Sequence, residues 1–141
     1  MRKYFLISPL LILPFIAYHL VAIFGAGNMD ASLASPVFSL RLISGGSWTF
    51  SLGDAILLLG LIMLFVEIVK ATSSKTSSLA NHGLSIGLLI FCLVEFLALK
   101  SFATSTFFFL MMMALLDVLA GFMVTIVSAR RDFGVGEQII G

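Results

Sequence analysis

The sequence predicts an all-α integral membrane protein, a four-transmembrane-helix bundle with a short extracytoplasmic β-hairpin between helices 1 and 2. Three observations carry that expectation. The 141 residues are 60% hydrophobic and 11% charged, with a mean hydropathy of +1.17, far more apolar than a soluble domain of this size. Four apolar segments divide the chain, each near the roughly 20 residues that a membrane-crossing helix needs. Between the first two, apolar and polar residues alternate on both sides of a glycine pair.

The spans are expected at 4–24, 52–69, 83–99 and 104–127, within one membrane domain covering 1–141. The first begins "MRKYFLISPLLILPFIAYHLVAIF" and carries Pro9 and Pro14, which are expected to bend it. Its basic start also suits a secretory signal peptide, but the apolar run is longer than a usual signal core, so the span is expected to be retained. The second and third spans are the shortest, and Asp54, Lys70, His82 and Lys100 at their flanks can reach the interface.

Lys and Arg set the direction. Arg2, Lys3, Lys70, Lys75, Arg130 and Arg131 fall on one side, and Arg41 and Lys100 on the other. That asymmetry predicts a multi-pass protein of the bacterial inner (plasma) membrane with both termini cytoplasmic, Arg130 and Arg131 fixing topology ahead of a cytoplasmic tail at 128–141. The same arginine pair suits anionic lipid.

The outer loop, 28–51, contains the hairpin. In "VFSLRLISGGSWTFSLGD", Phe38, Leu40 and Leu42 alternate with Ser39 and Arg41, and beyond Gly45-Gly46, Trp48, Phe50 and Leu52 alternate with Ser47, Thr49 and Ser51. An isolated hairpin is marginal, so its apolar face is expected on the helix ends or at headgroup level, with Trp48 as interfacial anchor. It reads either as a lid or as a docking edge with unpaired backbone groups. Asp54 is expected to cap the second helix.

Polar residues within the spans are the candidate site. On the fourth helix Ala114, Asp117, Ala120, Gly121, Thr125 and Ser128 share a small and polar face. Gly53, Gly60 and Glu67 share one on the second, and Gly83 and Gly87 make a small-xxx-small step on the third that continues through Phe91 to Glu95. Gly60, Gly83, Gly87 and Gly121 are therefore expected at close helix contacts. Asp117 near the midplane costs about 2.5–3.5 kcal/mol to insert, so it requires a partner, a proton or water. His19 and Glu95 lie at similar depths, roughly five residues inside the outer ends of their spans, and can meet. Asp117, Glu95 and His19 thus suit a proton- or cation-linked site, or simply helix-tying hydrogen bonds. Glu67 reads as a snorkelling partner of Lys70.

Much else is excluded. Net charge is +1, which gives no bias toward nucleic acid. The single cysteine, Cys92, supports neither an intrachain disulfide nor a CxxC centre nor a zinc site, and reads as a small core residue. That removes quinone-linked disulfide oxidoreductases. His19 and His82 lie at unlike depths, against a two-histidine haem. Membrane glutathione transferases need arginines within the bundle, and small multidrug exporters carry a glutamate in the first helix where this chain has His19. No phosphate loop, triad or metal cluster is present, so no cofactor, metal or catalytic residue is expected.

"SWTFSLGD" leading into "LFVEIVKAT", then "CLVEFL", then "STFFFLMMMALLDVLAGF" before "ARRD" resembles small four-span inner-membrane proteins of proteobacteria, over nearly the full length. The resemblance implies the fold and the membrane but no activity. The layout is also similar to claudin-like bundles, without their paired loop cysteines. The expected function is non-enzymatic: an accessory or scaffold protein in the lipid bilayer, packing against itself as an oligomer or against a membrane-protein partner. The alternative is a small homo-oligomeric proton- or cation-coupled transporter or channel.

Overall fold

The computed structural model describes residues 9–25, 27–73 and 78–136, with side chains over 9–25, 27–71 and 81–127. Its elements are α1 (Ile12–Phe24), α2 (Met29–Leu33), β1 (Pro36–Arg41), β2 (Ser47–Ser51), α3 (Leu52–Ser73), α4 (Ser78–Ala98), a 3-10 turn (Lys100–Phe102) and α5 (Ser105–Gly136). The fold is mostly helical, with a two-stranded antiparallel hairpin between α1 and the next long helix. Stretches of 20, 18 and 23 residues in α3, α4 and α5 are long and apolar enough to cross a membrane, and α1 is a shorter apolar helix.

The expected first span is therefore described from Pro9 onward, its earlier part and Arg2 and Lys3 lying outside the described residues. The Pro9 and Leu10 carbonyls accept the Ile12 and Leu13 N–H groups at 3.2 and 3.1 Å. Pro14 falls in the first turn of α1, where its missing N–H would have had no helical partner. Gly25 closes the helix by donating to the Val21 carbonyl at 2.7 Å.

Two local devices shape the loop after α1. Asn28 accepts the Ala31 N–H at 3.1 Å and starts the single turn of α2, which the sequence pattern did not indicate. The hairpin then pairs Phe38 with Phe50, Leu40 with Trp48, Ser39 with Thr49 and Arg41 with Ser47. Gly45 sits at φ 84°, a left-handed conformation suited to glycine, and donates to the Leu42 carbonyl in the turn. Phe38, Phe50 and Trp48 form one aromatic cluster, Phe38 stacked on Phe50 at 4.9 Å and edge-on to Trp48 at 5.9 Å. Phe38, Leu40 and Trp48 remain exposed, so this face is not buried on the helix ends.

Capping of α3 is reciprocal. Ser51 is the cap residue: its N–H and hydroxyl donate to Asp54 Oδ2 at 2.9 and 2.7 Å, and its Oγ accepts the Asp54 N–H at 3.2 Å. Asp54 is thus the returning half of a capping box and not the cap itself.

Helices α3 and α5 make the most extensive contact, followed by α4 with α5 and α1 with α3. The buried core at the hairpin end includes Phe15, Tyr18, Cys92, Phe102, Phe107 and Leu110. Tyr18 and Phe102 both lean on the Phe107 ring, with centroids 4.9 Å away. The Ser101 carbonyl can only accept, so Tyr18 donates to it at 3.0 Å and receives the Thr104 hydroxyl at 2.6 Å. Thr104 in turn accepts the Phe107 N–H at 3.2 Å at the start of α5.

The outward surface is apolar: Phe65, Leu97 and Met123 are each more than 60% exposed. Such a surface is stable against lipid chains and not against water. The 32-residue α5 runs well past the expected span limit at 127, with no proline to interrupt it. The expected tail 128–141 is helical as far as Gly136; the Arg130 and Arg131 side chains and 137–141 lie outside the described residues.

Candidate functional site

Glu67 is the centre of a buried polar cluster. It lies toward the end of α3 remote from the hairpin and is 0% exposed. Lys70, one turn further on, donates to Oε2 at 3.0 Å, and the Leu10 N–H, two residues before α1, donates to the same oxygen at 3.1 Å. Asn81 of α4 donates its amide to Oε1 and accepts from Lys70 Nζ at 3.5 Å. The carboxylate therefore joins α3, α4 and the approach to α1. The expected Glu67–Lys70 pair is present, but neither side chain snorkels: α4 and the start of α1 close over them, and Lys70 is only 8% exposed.

Asp117 of α5 is buried next to this group. Glu67, Lys70 and His82 are its ionisable neighbours, and Ser85 Oγ lies beside its carboxyl without closing an ideal hydrogen bond. His82 reaches α5 through Gly121: a Cβ there would collide with the imidazole, so only glycine lets the ring lie on the helix backbone. The ring meets Phe122 edge-to-face at 4.5 Å, and its Nε2 is buried without a partner among the described residues. Thr125 turns its hydroxyl back to the Gly121 carbonyl at 2.9 Å.

His19 and Glu95 form a second site at the hairpin end. His19 Nε2 lies 2.7 Å from Glu95 Oε1, and its Nδ1 lies 2.7 Å from the Phe15 carbonyl. Phe102 and Phe91 flank the ring at 4.8 and 6.4 Å. Glu95 Oε2 is buried with no partner among the described residues.

The three acids and histidine singled out from the sequence therefore divide. His19 meets Glu95, whereas Asp117 joins Glu67, Lys70, His82 and Ser85. Ser85 and Glu95 are ten residues apart on α4, about 15 Å along the helix, so the two clusters are separate layers. Gly60 is a close helix contact: a Cβ would come within 2.8 Å of Leu110 and 2.9 Å of the Met113 sulfur. Gly83 and Gly87 are not, since a Cβ at either would meet no atom within 4 Å among the described residues. Trp48 and Arg41 are exposed on the hairpin.

Sequence reasoning passed over Asn81, Ser85 and the role of His82. Asn81 and Ser85 are spaced i,i+4 on one face, the one signal that would have found them. They were missed because apolarity starts the span at 83, whereas the helix starts at Ser78. Among the described residues no group of three or more His, Cys, Asp or Glu is placed to hold a metal ion. Comparison of the chain with protein-family models, with curated proteins and with solved structures returns no match.

Proposed function

We propose that the protein is a non-enzymatic accessory or scaffold protein of the bacterial inner membrane, crossing it four times with both termini cytoplasmic and packing against itself or a larger membrane complex. The observation that carries this reading is the closure of the Glu67 cluster. Its carboxylate is wholly buried and satisfied by Lys70, Asn81 and the Leu10 N–H, so the polar groups tie the helices together. Among the described residues, surfaces open to a partner include a groove of about 450 Å³ along Leu61, Phe65 and Ile68 of α3, the Gly83–Gly87 face of α4, and the hairpin.

A second reading, a homo-oligomeric proton- or cation-coupled transporter, is favoured by His82 Nε2 and Glu95 Oε2, both buried without a partner among the described residues. Purification of the wild type and Asp117→Asn from native membranes in nanodiscs, with partner identification and mass measurement, separates the two. A partner retained in fixed ratio by both forms supports the scaffold. A lone small oligomer whose proton-linked flux after reconstitution is lost in Asp117→Asn replaces it with the transporter.

A further inference from the structure

Both ring nitrogens of His19 face an oxygen at 2.7 Å, the Phe15 carbonyl at Nδ1 and Glu95 Oε1 at Nε2. A carbonyl oxygen only accepts, so Nδ1 carries a hydrogen. A neutral imidazole has one N–H, which would leave Nε2 bare and set its lone pair against a carboxylate oxygen. The other neutral tautomer sets a bare Nδ1 against the carbonyl at the same distance. Either arrangement opposes two acceptors across hydrogen-bond distance. Only a second proton, lying between Nε2 and Oε1, satisfies both contacts.

We propose that His19 and Glu95 form a proton-binding site that joins α1 to α4 through a single proton held between Nε2 and Oε1. The join matters because α1 packs chiefly on α3 and, less, on α5, and makes few close approaches to α4. Glu95 is almost enclosed, at 9% side-chain exposure, and His19, at 31%, gives the proton its way out. Phe91 and Phe102 flank the ring. The other titratable groups around the pair are Cys92, whose thiol feels the Glu95 charge, Asp30 of α2, which acts on Tyr18, and the exposed Lys100. At this end α3 adds only Asp54, held by Ser51, and α5 has no charged residue before Asp117.

The sign follows from the proton count. Raising the pH takes away the second proton and leaves the ring one N–H for two acceptors. Where that N–H sits on Nδ1, two lone pairs face each other across the join, so the join opens in that share of the molecules. Lowering it far enough adds a proton to Glu95 and weakens the join by removing its charge, so closure is strongest between these limits. The assignment depends on neither reading of the function.

The first test is proton counting by nuclear magnetic resonance on the wild type in nanodiscs at neutral pH, with labelled histidine and glutamate and His19→Phe to assign the signals. Two protons on the pair, as imidazolium with carboxylate or as neutral ring with carboxylic acid, are expected. One proton, as a neutral ring beside an ionised Glu95, overturns the proposal. The second test places spin labels at Ile23→Cys and Leu97→Cys, both exposed positions, with Cys92→Ala. The α1–α4 distance is expected to lengthen as the pH rises in the wild type. It should stay short at all pH in Glu95→Gln, whose amide donates to a bare Nε2, and long at all pH in His19→Phe. A wild-type distance that ignores pH, or a Glu95→Gln distance that still follows it, also overturns the proposal.

Discussion

Lys70 Nζ lies 3.0 Å from Glu67 Oε2 where neither side chain reaches the surface. A buried ion pair of this kind adds little net stability against an apolar pair of equal size, because desolvation offsets the attraction. Removing one partner is different, since the other charge stays buried without the opposite charge beside it.

Glu67→Leu alone should therefore destabilise the fold by about 3–5 kcal/mol, because it removes the carboxylate that Lys70, Asn81 and the Leu10 N–H share. Glu67→Leu with Lys70→Met should recover the share due to the buried ammonium, while the Asn81 amide and the Leu10 N–H still lack the carboxylate. Equilibrium unfolding in detergent, compared across the single and double variants, checks both outcomes.

Gly121→Ala should cost about 1–3 kcal/mol, because the new methyl group displaces the His82 ring. His82→Ala should relieve that cost, giving a coupling energy between the two sites in a double-mutant cycle. Additive effects would mean that the ring does not pack there in the membrane.

Gly83→Ala and Gly87→Ala should behave in the opposite way. Nothing within 4 Å obstructs either methyl group among the described residues, and replacing helical glycine gains up to about 1 kcal/mol. Folding stability should hold or rise slightly. If this open face is where copies of the chain meet, the same substitutions should lower the assembly mass measured in native nanodiscs.

Ser51→Ala removes a hydroxyl that both donates to Asp54 and accepts its N–H. The expected loss is about 0.5–2 kcal/mol, seen as faster hydrogen exchange in the first turn of α3 and not in α4.

Trp48 is the chain's single tryptophan, so its fluorescence reports the hairpin alone. With 46% of the residue exposed beside Phe38 and Phe50, quenching should be strongest with nitroxide lipids labelled near the headgroup. Strong quenching by a water-soluble agent and none by lipid would place the hairpin away from the bilayer.

How much of this was legible follows from the range of each interaction. The hairpin was, because alternation of Phe38 and Leu40 with Ser39 and Arg41 records which side chains share a face, and Gly45 marks the turn. The long apolar helices were, because composition alone sets them. The single turn of α2 is too short to hold a period. Glu67 reads as surface-seeking because Lys70 is one turn away; only α4 and the start of α1, remote in sequence, bury it. In the same way Gly83, Gly87 and Gly121 look alike along the chain. What separates them is whether a side chain from another helix fills the notch, and His82 does so only at Gly121.

The 32 residues of α5 make a rod of about 48 Å, and its apolar stretch of 23 residues takes up about 35 Å of that. The remainder continues as the same unbroken helix beyond the apolar stretch. Asp117 and Gly121 therefore share one stiff shaft with the backbone of the arginine pair beyond. A twist or tilt of the buried part would be carried along this shaft as a lever-arm movement of its far end.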